Sequence, residues 1–205
     1  MRTNSVHLFV FDGMADWEAA FAIAGINNPQ FQIAPGRYRV ATVGLTTAPI
    51  VTVGGVRVQP DAALDDISPF KSSMLILPGG ASWEYGANSA AIDMARRFIA
   101  HCVPLAAICG ATLALARAGL LDNRYHTSNA REYLGASGYR GGRFYRDEPA
   151  ITDQGVITAS GTAPVDFARE IFETLNLYRA DALDAWYGLF RHGDASMFYE
   201  LAKSA

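Results

Sequence analysis

Residues 103–119 read VPLAAICGATLALARAG and contain a predicted strand, a tight turn and a predicted helix. The run 103–108 is short and apolar, which is typical of a strand buried on both faces of a parallel sheet. Residues 110–118 have the small and apolar side chains of a helix packed on such a sheet, and Gly119 is a helix-ending residue. The segment therefore predicts a βα unit, the repeating element of an α/β fold.

The same alternation of apolar runs and helical patterns covers the rest of the chain. Further strands are predicted at residues 7–11, 38–43 and 73–77, and helices at 15–26, 89–101, 165–177 and 180–201. Hairpins are predicted at 50–58, placed at an edge of the sheet, and at 151–159, with a short strand at 124–128. Together these elements predict one domain over residues 1–205, built on a doubly wound, mostly parallel sheet with right-handed crossovers.

The composition limits the classes of function. Half of the 205 residues are hydrophobic, which is enough for a packed core and excludes a disordered chain. Only 18% are charged and the formal net charge is -3, which argues against a nucleic-acid surface and a polybasic membrane anchor. The first apolar run is too short for a signal peptide or a membrane span. We therefore expect a small-molecule substrate, with no nucleic acid or membrane as partner.

The two cysteines cannot form the disulfide framework of a secreted protein, which fits a reducing cytoplasm. They also lack the spacing of a zinc site, and the chain has no glycine-rich nucleotide-binding motif. We expect neither a metal nor a cofactor.

Cys109 occupies the turn between the strand and the helix of the opening segment. At this place the sulfur would face the positive end of a helix, where the thiolate is favoured and the pKa of the thiol falls. Small neighbours such as Ala107 and Gly110 permit the sharp turn of a nucleophile elbow. Cys109 is therefore a candidate nucleophile, with a buried structural cysteine as the alternative. Cys102 has no such turn behind it and is predicted to be structural.

Two other segments follow predicted strands and should meet Cys109 at the carboxyl edge of the sheet. Gly80 ends one of them and, together with Gly110, would offer backbone amides to an oxyanion. Glu18 lies in the first turn of the helix predicted at 15–26, where it either reaches the sulfur or merely complements the helix dipole. If Glu18 is buried beside the thiol, its pKa rises and its protonated form can donate a hydrogen bond to sulfur.

Five segments carry a resemblance to a known family: FDGMADWE (11–18), LILPGG (75–80), AAICGATLALARAGLL (106–121), TSN (127–129) and ITASGTAPVDFAREI (157–171). The chain resembles the ThiJ/PfpI superfamily, which has the class I glutamine amidotransferase-like, flavodoxin-like fold. The resemblance implies that Cys109 is the nucleophile, Glu18 its buried acidic partner, and Gly80 and Gly110 the anion-binding residues. It also implies a homodimer, to which the aromatic stretch 186–199 could contribute apolar surface.

The histidines depart from the family pattern. Protease-like members have a histidine directly after the cysteine, where this chain has Gly110, and glyoxalase-like members have one at the position of Ser128. His126 lies two residues earlier on the predicted strand and is kept as a candidate catalytic residue in its place. His192 is a weaker candidate, because His192-Gly193-Asp194 only distantly matches the His-x-Glu pair of glutamine amidotransferases. The general base is thus left unidentified.

Two functions follow from these residues, with a third alternative. The first is a cysteine-nucleophile enzyme of hydrolase or amidase type, or one with a glyoxalase-like activity, acting on a small carbonyl compound. The second is a non-catalytic redox-sensing or stress-response protein in which Cys109 is oxidised and protonated Glu18 stabilises the oxidised sulfur. The third is a scaffold that has kept the fold and lost its chemistry.

Overall fold

The computed structural model describes residues 4–203, which form an α/β fold around a seven-stranded sheet. In chain order the strands are β1 (Asn4–Phe9), β2 (Tyr38–Gly44), β3 (Ile50–Val51), β4 (Arg57–Val58), β5 (Ala62–Ala63), β6 (Ser72–Leu77), β7 (Leu105–Ile108), β8 (Ala150–Asp153) and β9 (Val156–Ala159). The sheet has the order β5-β2-β1-β6-β7-β9-β8, and neighbours are parallel except β8 and β9. The predicted doubly wound, mostly parallel sheet is confirmed. The single domain was predicted over 1–205, of which 1–3 and 204–205 lie outside the described residues.

Helices cover both faces of this sheet. They are α1 (Ala20–Asn27), α2 (Ser89–Ala100), α3 (Gly110–Arg117), α4 (Arg131–Gly135), α5 (Pro164–Thr174), α6 (Ala180–His192) and α7 (Ser196–Ala202). The right-handed crossovers usual for parallel strands would place α1 on one face, because β2 lies to one side of β1, and α2 and α3 on the other, because the chain then moves the opposite way. α5 packs against α1. Between residues 4 and 203, no helix has the length and apolarity needed to cross a bilayer.

From β1 the chain continues to β2 on one side of the sheet, and from β6 it continues to β7 on the other side. The strand order therefore reverses between β1 and β6, which are neighbours. Their following loops lead to helices on opposite faces, so a crevice opens between them at the carboxyl ends of the strands. The central strands are buried because helices cover both of their faces; Met74, Leu75, Ile76 and Leu77 of β6 are all fully buried. The loops after β1, β6, β7 and β9 meet at this crevice.

The hairpin predicted at residues 50–58 forms, but it does not lie at the edge of the main sheet. β3 and β4 pair only with each other. The hairpin instead contacts the loop after β1: the N–H of Gly13 donates to the Val51 carbonyl over 2.8 Å, and the N–H of Val53 donates to the Met14 carbonyl over 3.0 Å. The Asp16 carboxylate accepts a further hydrogen bond from the N–H of Gly54 over 2.7 Å. Local turn residues predicted the hairpin, whereas its docking place depends on these long-range bonds.

Three other predictions need correction. The first helix begins at Ala20 rather than at 15, because the preceding residues form turns that bond to the hairpin and to the loop after β6. Residues 124–128 form no strand; His126 makes only an isolated bridge to Tyr145. The helix predicted over 180–201 is two helices, α6 and α7, because Gly193 adopts a left-handed conformation with φ of 67°.

Candidate active site

Cys109 lies at a sharp turn between β7 and α3. Its φ of 57° and ψ of −125° are strained for a residue other than glycine. Hydrogen bonds hold this conformation on both sides: the Cys109 N–H donates to the Ala159 carbonyl over 3.0 Å, and the Cys109 carbonyl accepts from the Thr112 hydroxyl over 2.6 Å. A Cβ at Gly110 would lie 2.8 Å from the Gly80 carbonyl oxygen, so glycine alone fits without displacement. The backbone thus forms a nucleophile elbow that presents the sulfur at the end of the sheet.

The loop after β1 buries Glu18 beside Cys109. Only 1% of the Glu18 surface is exposed. The N–H of Gly79 donates to Glu18 Oε2, and the Gly79 carbonyl accepts from the N–H of Ala15 over 3.0 Å. The Glu18 carboxyl also lies close enough to the Cys109 thiol for each group to shift the pKa of the other. The structure therefore brings together the Glu18 carboxyl and the Cys109 sulfur, although the two residues are 91 positions apart in the sequence.

Two glycines allow Glu18 and Cys109 to approach each other. A Cβ at Gly79 would lie 2.6 Å from both the Cys109 Cβ and the Glu18 Oε2. A Cβ at Gly161 would lie 2.9 Å from the Cys109 Sγ and 3.1 Å from the Glu18 Oε1. Real Cβ contacts are not this short, so a side chain at either position would displace the sulfur or the carboxyl. Gly161, in the loop after β9, was missed in the sequence as a site residue.

Asn129 is a second site residue that was missed. Its side-chain N–H₂ donates to the Cys109 Sγ over 3.3 Å, while its Oδ1 accepts from the N–H of Gly161 over 2.9 Å. This second bond fixes the orientation of the amide, so the donor faces the sulfur. The Trp17 indole N–H donates to the Gly161 carbonyl over 3.2 Å and extends the network to the neighbour of Glu18. The segment TSN (127–129) is one of those that carry the family resemblance, and it was the sequence signal that could have identified Asn129.

The pKa values of the two central groups are both raised. Burial raises the pKa of Glu18 to about 7, against the opposing effect of its bonds to Gly79 and Cys109. Burial, followed by the charge of Glu18, raises the pKa of Cys109 to about 11, although Asn129 and the Gly110 N–H favour the thiolate. The expected lowering of the thiol pKa at the helix N-terminus is therefore wrong, because desolvation and the nearby carboxylate outweigh the helix amides.

A family model described as the DJ-1/PfpI family matches residues 4–174. The chain belongs to the DJ-1/PfpI family. It is 37% identical to a Bacillus subtilis protein named uncharacterized protease YoaZ, over 98% of this chain and 97% of the relative. The structure of a thiJ/pfpI family protein from Bacillus anthracis superposes with a TM-score of 0.91 at 38% identity, covering 100% of this chain and 98% of that one. The glutathione-independent glyoxalase DJR-1.2 of Caenorhabditis elegans is 27% identical over 143 residues, 68% of this chain and 75% of the relative.

In this DJ-1/PfpI chain, the sulfur borders a cavity of about 290 Å³. Gly80 and Gly110, the two predicted anion-binding residues, both line it. The Gly110 N–H favours the Cys109 thiolate, whereas the Gly79 N–H is engaged by Glu18. An oxyanion formed at the sulfur would therefore meet the Gly80 and Gly110 backbone and not that of Gly79.

His126 is remote from the hydrogen-bond network of Cys109. It is completely buried, and its ring nitrogens bond to the Arg124 carbonyl over 2.8 Å and to the Tyr139 hydroxyl over 3.2 Å. Burial lowers the pKa of His126 and favours the neutral ring. Ser128, where glyoxalase-like members were expected to have histidine, bonds to the Thr112 hydroxyl over 2.6 Å and so supports the elbow indirectly. No histidine from the described part of the chain lines the Cys109 cavity.

The remaining candidates lie away from the cavity. Cys102 is exposed after α2, in a left-handed conformation with φ of 54°. His192 ends α6 and borders a different groove, between α5, α6 and α7. Among residues 4–203, no group of three histidine, cysteine, aspartate or glutamate side chains is placed to hold a metal ion.

Proposed function

We propose that the protein is a cysteine-dependent enzyme of hydrolase or amidase type that acts on a small carbonyl compound. The observation that carries this proposal is the pairing of the Cys109 thiol with the buried Glu18 carboxyl, whose pKa is raised to about 7. A group with a pKa near neutrality can both accept and return a proton under ordinary conditions. Glu18 therefore takes the role of proton acceptor that the histidines do not fill.

The size of the cavity supports a small substrate. About 290 Å³ is at the lower limit of the roughly 300–1,000 Å³ that is usual for small-molecule pockets. The names of two relatives, a protease and a glyoxalase, both describe chemistry at a carbonyl carbon. A folded protein substrate would not reach the sulfur in a cavity of this size.

The reaction begins with the thiol. Glu18 accepts the proton of Cys109 as the sulfur attacks the substrate carbonyl carbon, and the electron pair of the C=O bond moves to oxygen. The backbone N–H groups of Gly80 and Gly110 stabilise this oxyanion. The electron pair then returns, the bond to the leaving amine breaks, and Glu18 gives its proton to the amine. Water attacks the resulting thioester, Glu18 accepts a proton from it and returns it to the sulfur, and a carboxylic acid leaves.

The test compares turnover in three chains. Wild type, Cys109→Ala and Cys102→Ala are incubated with a panel of small amides and 2-oxoaldehydes, and product is followed by chromatography. We expect wild type and Cys102→Ala to release product and Cys109→Ala to release none. Turnover that survives in Cys109→Ala would contradict the proposal.

A redox function is the second candidate, and the absence of a histidine from the described cavity lining favours it. Hydrogen peroxide would oxidise Cys109 first to a sulfenic and then to a sulfinic acid, with one water released at each step. Protonated Glu18 would donate a hydrogen bond to the oxidised sulfur. Sulfinate formation in mass spectra after mild peroxide treatment, without turnover of any amide or oxoaldehyde, would favour this function over the first.

The homodimer implied by the family also stays a proposal, as does a cytoplasmic location. Phe198 and Tyr199 of α7 are 58% and 70% exposed and offer apolar surface for such a contact. Light scattering that gives only the monomer mass of 22.1 kDa would contradict the dimer.

A further inference from the structure

The hairpin of β3 and β4 forms part of the wall of the Cys109 cavity. Val53, at the turn of the hairpin, lines this cavity, although β3 and β4 pair only with each other. The Val53 N–H donates to the Met14 carbonyl over 3.0 Å, and the Gly54 N–H donates to the Asp16 carboxylate over 2.7 Å. A Cβ at Gly54 would lie 2.8 Å from Asp16 Oδ2, so glycine permits this close approach. These bonds fix the place of Val53 at the cavity.

The polar side chains that line the cavity already have hydrogen-bond partners. Glu18 and Asn129 bond to backbone N–H groups beside the sulfur. The Tyr133 hydroxyl donates to Glu84 Oε1 over 3.3 Å. The indole N–H is the one polar atom of the Trp17 side chain, and it donates to a backbone carbonyl over 3.2 Å. The rest of the Trp17 ring is therefore apolar surface.

Trp17 and Val53 are apolar and yet remain in contact with water. Their surfaces are 53% and 63% exposed, and Ala15 and Ala81 extend the apolar lining of the same cavity. Apolar surface in a pocket that also contains a reactive group is typical of a small-molecule site, where a few polar groups orient the ligand. A hydrocarbon group bound against Trp17 and Val53 would release this water while the rest of the ligand reaches Cys109.

We propose that Trp17 and Val53 form an apolar subsite, so that Cys109 acts on carbonyl compounds that carry a short, uncharged hydrocarbon substituent. This inference rests on the proposed function and names its substrate class. The carbonyl oxygen lies toward the backbone of Gly80 and Gly110, and the substituent packs on the Trp17 ring and the Val53 methyl groups, all of which line the cavity. The cavity volume of about 290 Å³ limits the substituent to a short chain.

The preference is measured on the thiol itself, without a known substrate. The probes are propyl methanethiosulfonate and 2-hydroxyethyl methanethiosulfonate, which are both uncharged and differ only in a terminal methyl or hydroxyl group. The sulfur of Cys109 attacks the probe sulfur, its proton goes to Glu18, a disulfide forms and methanesulfinate leaves. A Cys102→Ser background leaves Cys109 as the one reactive thiol, since the chain has two cysteines. Rates are followed by mass spectrometry and divided by those of 2-mercaptoethanol, which corrects for the reactivity of each probe.

We expect the corrected propyl-to-hydroxyethyl rate ratio to be about threefold, close to the factor for burying one methyl group. Val53→Thr replaces a methyl group of the subsite by a hydroxyl group of similar size and should lower the ratio to about 1.5. Val53→Ile keeps the subsite apolar and should leave the ratio at or above that of wild type. The matched control is Val56→Thr, the same change at a 56% exposed position of the hairpin that does not line the cavity, and it should leave the ratio unchanged.

Equal effects of Val53→Thr and Val56→Thr on the ratio would overturn the inference, as would a wild-type ratio of one. If both variants lower the ratio together with the molecular mass in solution, the exposed valines form a contact between two copies of the chain and the inference fails. This readout separates the two proposals. Turnover of amides or oxoaldehydes without a preference for the propyl probe would reject the subsite and keep the enzyme. A preference without turnover of any of these compounds would reject the enzyme and with it the substrate class.

Discussion

The side-chain amide of Asn129 donates a hydrogen bond to the Cys109 sulfur over 3.3 Å, and its orientation is fixed by the Gly161 N–H. An amide N–H₂ stabilises a thiolate without carrying charge or exchanging a proton. Asn129 therefore works as a positioning residue, and the proton transfers are left to Glu18.

Asn129→Ala should raise the pKa of Cys109, because the bond that favours the thiolate is lost. In a Cys102→Ser background, alkylation by iodoacetamide at pH 8 should slow about tenfold, which corresponds to roughly one pKa unit. The rate is measured as a function of pH by mass spectrometry. The control Asn123→Ala changes an exposed asparagine outside the site and should keep the wild-type profile. Identical profiles for all three proteins would show that the Asn129 bond has no effect on the thiolate.

Glu18 should make the free energy of unfolding depend on pH. Its folded pKa of about 7 lies above its ordinary 4.5, so the folded state binds the proton more tightly than the unfolded state. The stabilisation is complete below pH 4.5 and is lost as the pH rises through 7, by an amount on the order of 3 kcal/mol. Urea unfolding at pH 5 and pH 8 should show this loss in wild type. Glu18→Gln should abolish most of it, whereas Glu173→Gln, at an exposed position, should not.

Gly79→Ala should disrupt the site through a steric clash. Its Cβ would lie 2.6 Å from the Cys109 Cβ and from the Glu18 Oε2, so one of the loops must move, at a cost of about 1–3 kcal/mol. Gly135→Ala is the control, because a Cβ there meets nothing within 4 Å. Thermal unfolding should show a clear loss for Gly79→Ala and little change for Gly135→Ala. Equal midpoints for the two variants would disprove the tight approach at Gly79.

His126→Ala should reduce stability and leave the chemistry intact. The substitution opens space in the core and leaves the Arg124 carbonyl and the Tyr139 hydroxyl without their partner, at a cost of about 2 kcal/mol. Since His126 does not line the cavity, kcat/KM per folded molecule should stay within about twofold of wild type. A selective loss of kcat in a fully folded variant would instead support His126 as a catalytic residue.

Local signals predicted the βα elements well. The segment around Cys109 forms β7 and α3 with nearly the predicted bounds, because a short apolar run, small residues at the turn and a terminal glycine act within a few residues of each other. Four of residues 124–128 are buried, all but Tyr125, yet the segment forms no strand, because its partners are single side chains and backbone groups rather than a neighbouring strand. Periodicity reports which side chains are buried and not which backbone groups are paired.

The sequence by itself determined the parallel sheet, the elbow at Cys109 and the loops that follow each strand, since these depend on residues adjacent in the chain. Only the tertiary structure decided what surrounds the sulfur. Asn129 and Gly161 reach it from two separate loops, and no local pattern records such distances. The rise in the thiol pKa has the same origin: a helix N-terminus can be read from the chain, whereas desolvation and the charge of Glu18 exist only after the loops are packed together.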